Sequence, residues 1–305
     1  MTLWSALKAG FGFLSVLPVG ITMEGIEELM NRLYLYPVVG ALLGILIGLG
    51  AFIFELFLPS PVTILFIMFA IYGLTWFNHL DGIADMGDGM TAHGSLEKKR
   101  KALKDMALGI GGVAFTVFSL LFLYASLLAL ESGADVFGNM MAIGMTGSMA
   151  NGFLWFGFLS ILLSSLSAHV GLEIFSAVSV ALVMGFSVWV AEILAKQSML
   201  TIATFGKSFS EGLGSMTIKG GSSRNFAIGI VFSLLVSVGL LGILGILAVF
   251  VTTLVAGFIL RTSNKHFSGL NGDGIGAANE IGRAAAICTI SISIWILGGG
   301  LSWML

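Results

Sequence analysis

Residues 33–57 read LYLYPVVGALLGILIGLGAFIFELF, an apolar run interrupted by one acid, Glu55. A helix needs about 20 mostly apolar residues to cross a bilayer, so this run is long enough to span one. Similar runs follow at Val62–Leu80, Gly109–Leu130, Met140–Leu166, Phe175–Ala195, Phe226–Leu260 and Ala284–Leu305, and Pro59-Ser60-Pro61 forms a turn between the first two. Phe226–Leu260 is too long for one ordinary span and is expected to break as a hairpin near Gly239–Gly245. The fold expected is an all-α, polytopic integral membrane bundle of seven or eight transmembrane helices, one domain over residues 1–305. Trp4–Val19 is expected to lie in the interface or re-enter rather than cross, because it carries Lys8 and Pro18. Met23–Arg32, with Glu24, Glu27 and Glu28, reads as an exposed amphipathic helix, with a place near the active site as the alternative.

Composition agrees. The chain is 57% hydrophobic and 10% charged, against about 25% charged for a soluble domain, so the lipid bilayer is its main solvent. Its 42 glycines suit close packing of membrane helices. A net charge of -2 gives no ground for a nucleic-acid partner. The single cysteine, Cys288, excludes an internal disulfide and a zinc site of cysteine type. The start lacks the basic region and cleavage site of a signal peptide, so the first apolar helices are expected to direct insertion. An oligomer is compatible with everything in the sequence.

Basic residues gather in three segments: Lys98, Lys99, Arg100, Lys101 and Lys104; Lys196, Lys207, Lys219 and Arg224; and Arg261, Lys265 and Arg283. Short loops rich in Lys and Arg stay cytoplasmic, so the three are expected to share the cytoplasmic face of the cell membrane, with Glu131–Asn139 outside. The count of spans conflicts with this. An odd number of crossings must separate Glu131–Asn139 from Lys196, yet the apolar runs between them number two. A hidden short helix or a re-entrant segment is the expected remedy.

The chemistry is concentrated in Asn78-His79-Leu80-Asp81-Gly82-Ile83-Ala84-Asp85-Met86-Gly87-Asp88-Gly89, at the end of an apolar span. On a helix Asp81, Asp85 and Asp88 point one way, with Asn78 near them and His79 on the other side. Three like charges on one face repel, and the penalty grows near a membrane. A divalent cation removes it. Carboxylates on one face suit Mg²⁺, which binds a few of them together with phosphate oxygens of a substrate, as in enzymes that work on diphosphates. The plainer alternative is a solvated helix end whose acids happen to align. Gly82, Gly87 and Gly89 are expected to let a bulky polyanion approach the backbone. A second stretch, Leu270-Asn271-Gly272-Asp273-Gly274-Ile275-Gly276-Ala277-Ala278-Asn279-Glu280, carries Asp273 and Glu280 seven apart, and glycines that either present N–H groups to phosphate or simply form a loop. Lys98–Lys104 serve either topology and anionic-lipid contact or the holding of an anionic substrate. His93, His169 and His266 receive no role.

At these residues the chain resembles the cobalamin synthase family, the adenosylcobinamide-GDP ribazoletransferases. The likeness rests on Phe13-Leu14-Ser15-Val16-Leu17-Pro18, Tyr36-Pro37-Val38-Val39-Gly40, the acidic stretch His79–Gly89, Lys104-Asp105 with Gly109-Ile110-Gly111, and Asn271-Gly272-Asp273 through Glu280. The chain departs from the family at Met106-Ala107-Leu108-Gly109, where a Ser-Arg is usual, and at Asn271, where a Thr is common. The resemblance implies that adenosylcobinamide-GDP is attacked by an oxygen of α-ribazole or its 5′-phosphate, that GMP leaves, and that Mg²⁺ is the metal. Asp81, Asp85 and Asp88 are then expected to hold Mg²⁺ on the diphosphate. Asp273 and Glu280 would complete its shell or supply a general base, with His79 a lesser candidate for base. Substrate contacts are expected from Asn78, Lys98, Lys104, Asp105, Asn271, Gly272, Gly274 and Asn279. The competing expectations are a membrane transferase of CDP-alcohol or prenyl type, whose acidic spacing differs from Asp81-x3-Asp85-x2-Asp88, and a cation-coupled transporter.

Overall fold

The computed structural model describes residues 2–142, 157–167 and 171–297, which form helices joined by short connections, with no strand among them. In chain order these are α1 (Leu3–Leu14), α2 (Met23–Asn31), α3 (Leu35–Phe57), α4 (Ser60–Thr75), α5 (Asn78–Thr91), α6 (Leu96–Ala102), α7 (Ile110–Ala142), α8 (Phe158–Ser167), α9 (Leu172–Phe205), α10 (Leu213–Gly220), α11 (Ser223–Leu241), α12 (Ile243–Phe267) and α13 (Gly272–Leu297). Six helices, α3, α7, α9, α11, α12 and α13, contain a stretch long and apolar enough to cross a membrane, and the bent pair α4 and α5 makes a seventh if counted as one span. The expected bundle of membrane helices is therefore present, with six or seven candidate spans among the described residues.

Packing explains the layout. Gly40, Gly44 and Gly48 recur every four residues on α3 and so form one stripe. A methyl at Gly40 would meet the Glu192 carbonyl at 2.6 Å, and one at Gly44 the Trp189 side chain at 2.8 Å. The stripe brings α3 into backbone contact with α9, running the opposite way, as small residues do between membrane helices. The long run 226–260 is a hairpin that turns at Gly242, with φ 58, inside the interval expected from the sequence. Helix α2 buries Ile26, Leu29 and Met30 and exposes Glu24 and Glu27, so it is amphipathic as read.

Two expectations change. The run Val62–Leu80 is not one straight span. Trp76 and Phe77 both adopt left-handed backbone, with φ 51 and 61, and the chain turns by 93° between α4 and α5. Leu80 consequently belongs to α5. The crossing count changes as well. Lys196 is not a loop residue: it lies inside α9, fully buried, with its Nζ 2.6 Å from Glu192 Oε2. Arg283 is buried too, donating to Glu192 and to Glu280. These two cations neutralise two buried acids and say nothing about sidedness.

At the far end, Ser176 Oγ donates to Asp135 Oδ1 at 3.3 Å, which joins the end of α7 to the start of α9. A single net crossing, α9, then separates Asp135 from Lys207, so the odd parity is met. The expected span Met140–Leu166 falls largely outside the described residues. Its described part includes α8, whose 10 residues are too few to cross.

Candidate active site

The bend at Trp76 and Phe77 lays α5 across the near end of the bundle, between the starts of α7 and α13. Both contacts depend on glycine. A methyl at Gly82 would collide with the carbonyl oxygen of Asp273, and one at Gly87 would lie 2.7 Å from the carbonyl oxygen of Gly111. Gly82, Gly87 and Gly89 are buried against protein, so their role is close helix approach and not access for a polyanion. Close approach at Gly82 is what joins the two acidic motifs, which lie almost two hundred residues apart in sequence.

An open cavity of about 710 Å³ lies where they meet. Asp81, Asp85, Asp273, Lys104 and Asp105 line its polar part, and Phe77, Leu80, Leu103, Met106 and Leu108 its apolar part. Asp85 is half-buried and lies within electrostatic reach of Asp273, Asp81 and Asp88, all of the same sign. Asp273 also feels Lys104, the one cation that lines the cavity. The site is thus a concentration of negative charge at the edge of an apolar bundle, a state that calls for a cation or for protons.

Asp88 has different surroundings from its two helix-mates. Its Oδ2 accepts from Gly109 N and its Oδ1 from Gly112 N, each at 2.7 Å. The first turn of a helix has N–H groups without intrahelical acceptors, and Asp88 supplies them for α7. Both of its carboxylate oxygens accept from backbone, so Asp88 has a structural place at the start of α7.

Glu280 and His79 lie outside the cavity lining. Glu280 is 2% exposed, accepts from Arg283 Nη1 at 2.5 Å and from Asn279 Nδ2 at 2.8 Å, and belongs to the buried network of Glu192, Lys196 and Arg283. His79 is buried beneath α5 and has an Nδ1 without a partner. Asn279, expected to bind substrate, is completely buried in the same network.

The remaining expected contacts divide. Asn271 caps α13, its Oδ1 accepting from Gly274 N at 3.2 Å, so that N–H is already used. Gly272 is exposed at the first position of α13, where its own N–H is open. Asp105 Oδ1 accepts from Ala107 N and shapes the loop that borders the cavity. Asn78 is exposed at the start of α5, and Lys98 is exposed on α6, neither in the cavity lining. In the same basic segment Arg100 is structural: it donates twice to the Phe267 carbonyl, at 2.9 and 2.7 Å, and lies 4.4 Å over the Phe209 ring. His266 lies 3.5 Å from Lys99, His93 is exposed, and His169 falls outside the described residues. Phe77, Met106, Leu108 and Thr116 also line the cavity. No pattern in the sequence marks them, because their place depends on the bend and on the α5–α7 contact.

No three acidic, histidine or cysteine side chains among the described residues are arranged as a complete metal shell. Mg²⁺ does not require one: it commonly takes one or two carboxylates and fills the rest of its shell with water and substrate phosphate. Asp81, Asp85 and Asp273 border one cavity, so carboxylates in that smaller number are present there.

Comparison with known proteins extends over nearly the whole chain. The profile of the family described as Cobalamin-5-phosphate synthase matches residues 6–160 and 141–291. An adenosylcobinamide-GDP ribazoletransferase of Methanosarcina barkeri is 45% identical over 98% of this chain and 98% of its own length. Enzymes of the same name from Methanosarcina mazei and Methanococcoides burtonii are 45% and 43% identical, again over 98% of this chain. No solved structure is significantly similar.

Proposed function

The chain belongs to the cobalamin-5-phosphate synthase family, and from that premise we propose that it joins adenosylcobinamide-GDP to α-ribazole or α-ribazole 5′-phosphate, releasing GMP. The observation that carries the reading is the meeting of Asp81 and Asp85 with Asp273 around one open cavity on one face of a membrane transferase. A hydroxyl oxygen of the ribazole attacks the phosphorus that bears the corrinoid. A new P–O bond forms, the P–O bond to GMP breaks, and the hydroxyl proton passes to a carboxylate of the cavity.

Such a transfer depends on positioning and on neutralising charge more than on covalent help. Asp81 and Asp85, with phosphate oxygens of the substrate, would hold Mg²⁺, which would supply neutralisation of the diphosphate and of the leaving GMP. Lys104 draws the polyanion toward the cavity mouth. The apolar wall of Phe77, Leu80 and Leu108 keeps bulk water from part of the site, which strengthens each electrostatic contact inside it. Asp88 acts on the site indirectly, by fixing the start of α7 against α5.

We assign the site to the cytoplasmic side, because exposed Lys98, Lys101, Lys104 and Lys207 lie at the same end of the bundle as the cavity. The transporter alternative is less favoured. The charges buried between the helices, Glu192, Lys196, Glu280 and Arg283, sum to zero and are bonded to one another rather than open to a path.

The test is GMP release from adenosylcobinamide-GDP and α-ribazole by purified protein in detergent, with and without Mg²⁺. Wild type should release GMP and Asp85→Asn should release none while unfolding at the same temperature. Full activity in Asp85→Asn would overturn the carboxylate site. No release by wild type would overturn the reaction.

A further inference from the structure

Most helical threonines among the described residues bond back along their own helix. Thr91, Thr201, Thr204, Thr252 and Thr289 each donate their hydroxyl to the carbonyl four residues earlier, at 2.5–2.8 Å. Back-bonding of this kind is how a hydroxyl avoids the cost of lying unpaired in an apolar surrounding. Thr116 on α7 departs from it. Its Oγ1 is buried and has no hydrogen-bond partner, although the Gly112 carbonyl is four residues before it in the same helix. An unpaired buried hydroxyl costs about 1–3 kcal/mol, and native proteins seldom keep one without a use for it.

Its position suggests the use. Thr116 lines the carboxylate cavity together with Leu80, Ala84, Leu108 and the acids Asp81 and Asp85. It lies one helical turn beyond Gly112, the residue that donates to Asp88. Threonine in a helix divides between two χ1 rotamers, so the hydroxyl has a second position open to it. A hydroxyl both donates and accepts, and Thr116 is the one uncharged polar side chain among those that line the cavity.

We propose that Thr116 is a substrate-binding residue, which pairs its hydroxyl with a polar group of one of the two substrates when the cavity fills. The inference rests on the reaction assigned above. It is tested with Thr116→Val, which keeps the shape and removes the hydroxyl, and Thr116→Ser, which keeps the hydroxyl. Loss of one such hydrogen bond should lower kcat/KM by about ten- to hundredfold. The expected result is that loss in Thr116→Val, with KM raised for one substrate and unchanged for the other, near wild-type kinetics in Thr116→Ser, and the same unfolding temperature in all three. Whichever KM moves names the substrate that is held. Wild-type kinetics in Thr116→Val, in a protein whose Asp85→Asn variant is inactive, would overturn this inference and leave the reaction standing. A loss that is equal in the two variants, or that follows a fallen unfolding temperature, would overturn it as well, because the residue would then be structural. Absence of GMP release by wild type removes the reaction and this inference with it.

Discussion

Asp85 and Asp88 lie three residues apart on one helix, and their surroundings give them different work. Asp85 opens on the cavity among like charges, whereas Asp88 gives both oxygens to the first turn of α7. Substitution should separate them. Asp88→Ala leaves the N–H groups of Gly109 and Gly112 without acceptors, which at about 1–3 kcal/mol in total should lower the unfolding temperature in detergent by several degrees. Asp85→Asn should leave it unchanged. An Asp88→Ala variant as stable as wild type would show that the cap contributes nothing. The acids themselves were legible in the sequence, since their spacing places them on one helix face. The diversion of Asp88 to a helix start was not, because it depends on residues 109 and 112, brought near only by the packing of α5 on α7. The burial of Glu280 was not legible for a similar reason: its network with Glu192 and Arg283 is assembled from two helices, and spacing along one of them cannot show it.

At the scale of elements, the site exists because α5 crosses the starts of two other helices at backbone distance. Gly82 is the point of contact with α13, and a methyl there would strike the Asp273 carbonyl. Gly82→Ala should therefore push the two motifs apart, reducing activity more than tenfold and stability by about 1–3 kcal/mol, the usual cost of overpacking. Gly257→Ala provides the control. A methyl at that position on α12 meets nothing within 4 Å, so helix propensity alone should leave the protein as stable or up to about 1 kcal/mol more so. Equal behaviour of the two variants in activity and thermal unfolding would remove the close contact from the account. The hairpin at Gly242 was readable from length and glycine content. The bend before α5 was not: it occurs at Trp76 and Phe77, without a proline or glycine to announce it. Left-handed backbone at two bulky residues is strained. It persists here with the Phe77 ring stacked on Tyr72, centroids 5.6 Å apart.

Over the whole molecule, the parity of crossings read from the sequence conflicts with its charge map, and the structure removes the conflict. Counting Lys196 as a loop cation gave an even number of crossings. Its burial against Glu192 takes it out of the loops, but the parity is restored by the contact of Ser176 with Asp135, which leaves no net crossing between the far end of α7 and the start of α9. The same burial explains why a helix with internal charges is stable in an apolar bundle: Glu192 and Glu280 balance Lys196 and Arg283, and an ion buried without such a partner would cost several kcal/mol. With Asp135 against Ser176, α7 and α9 run in opposite directions, and one net crossing lies between Asp135 and Lys207.

Single-cysteine variants in a Cys288→Ala background test this directly, since Cys288 is the chain's one native thiol. Lys101→Cys, Ser132→Cys and Lys207→Cys all fall at exposed positions. In intact cells a membrane-impermeant thiol reagent should label Ser132→Cys, whereas Lys101→Cys and Lys207→Cys should label only after the membrane is opened. Labelling of Lys101→Cys and Lys207→Cys from outside, with Ser132→Cys protected, would keep the fold and reverse the cytoplasmic assignment of the site. Labelling of Ser132→Cys and Lys207→Cys from the same side would contradict the antiparallel pairing of α7 and α9, and with it the single cavity shared by the two acidic motifs.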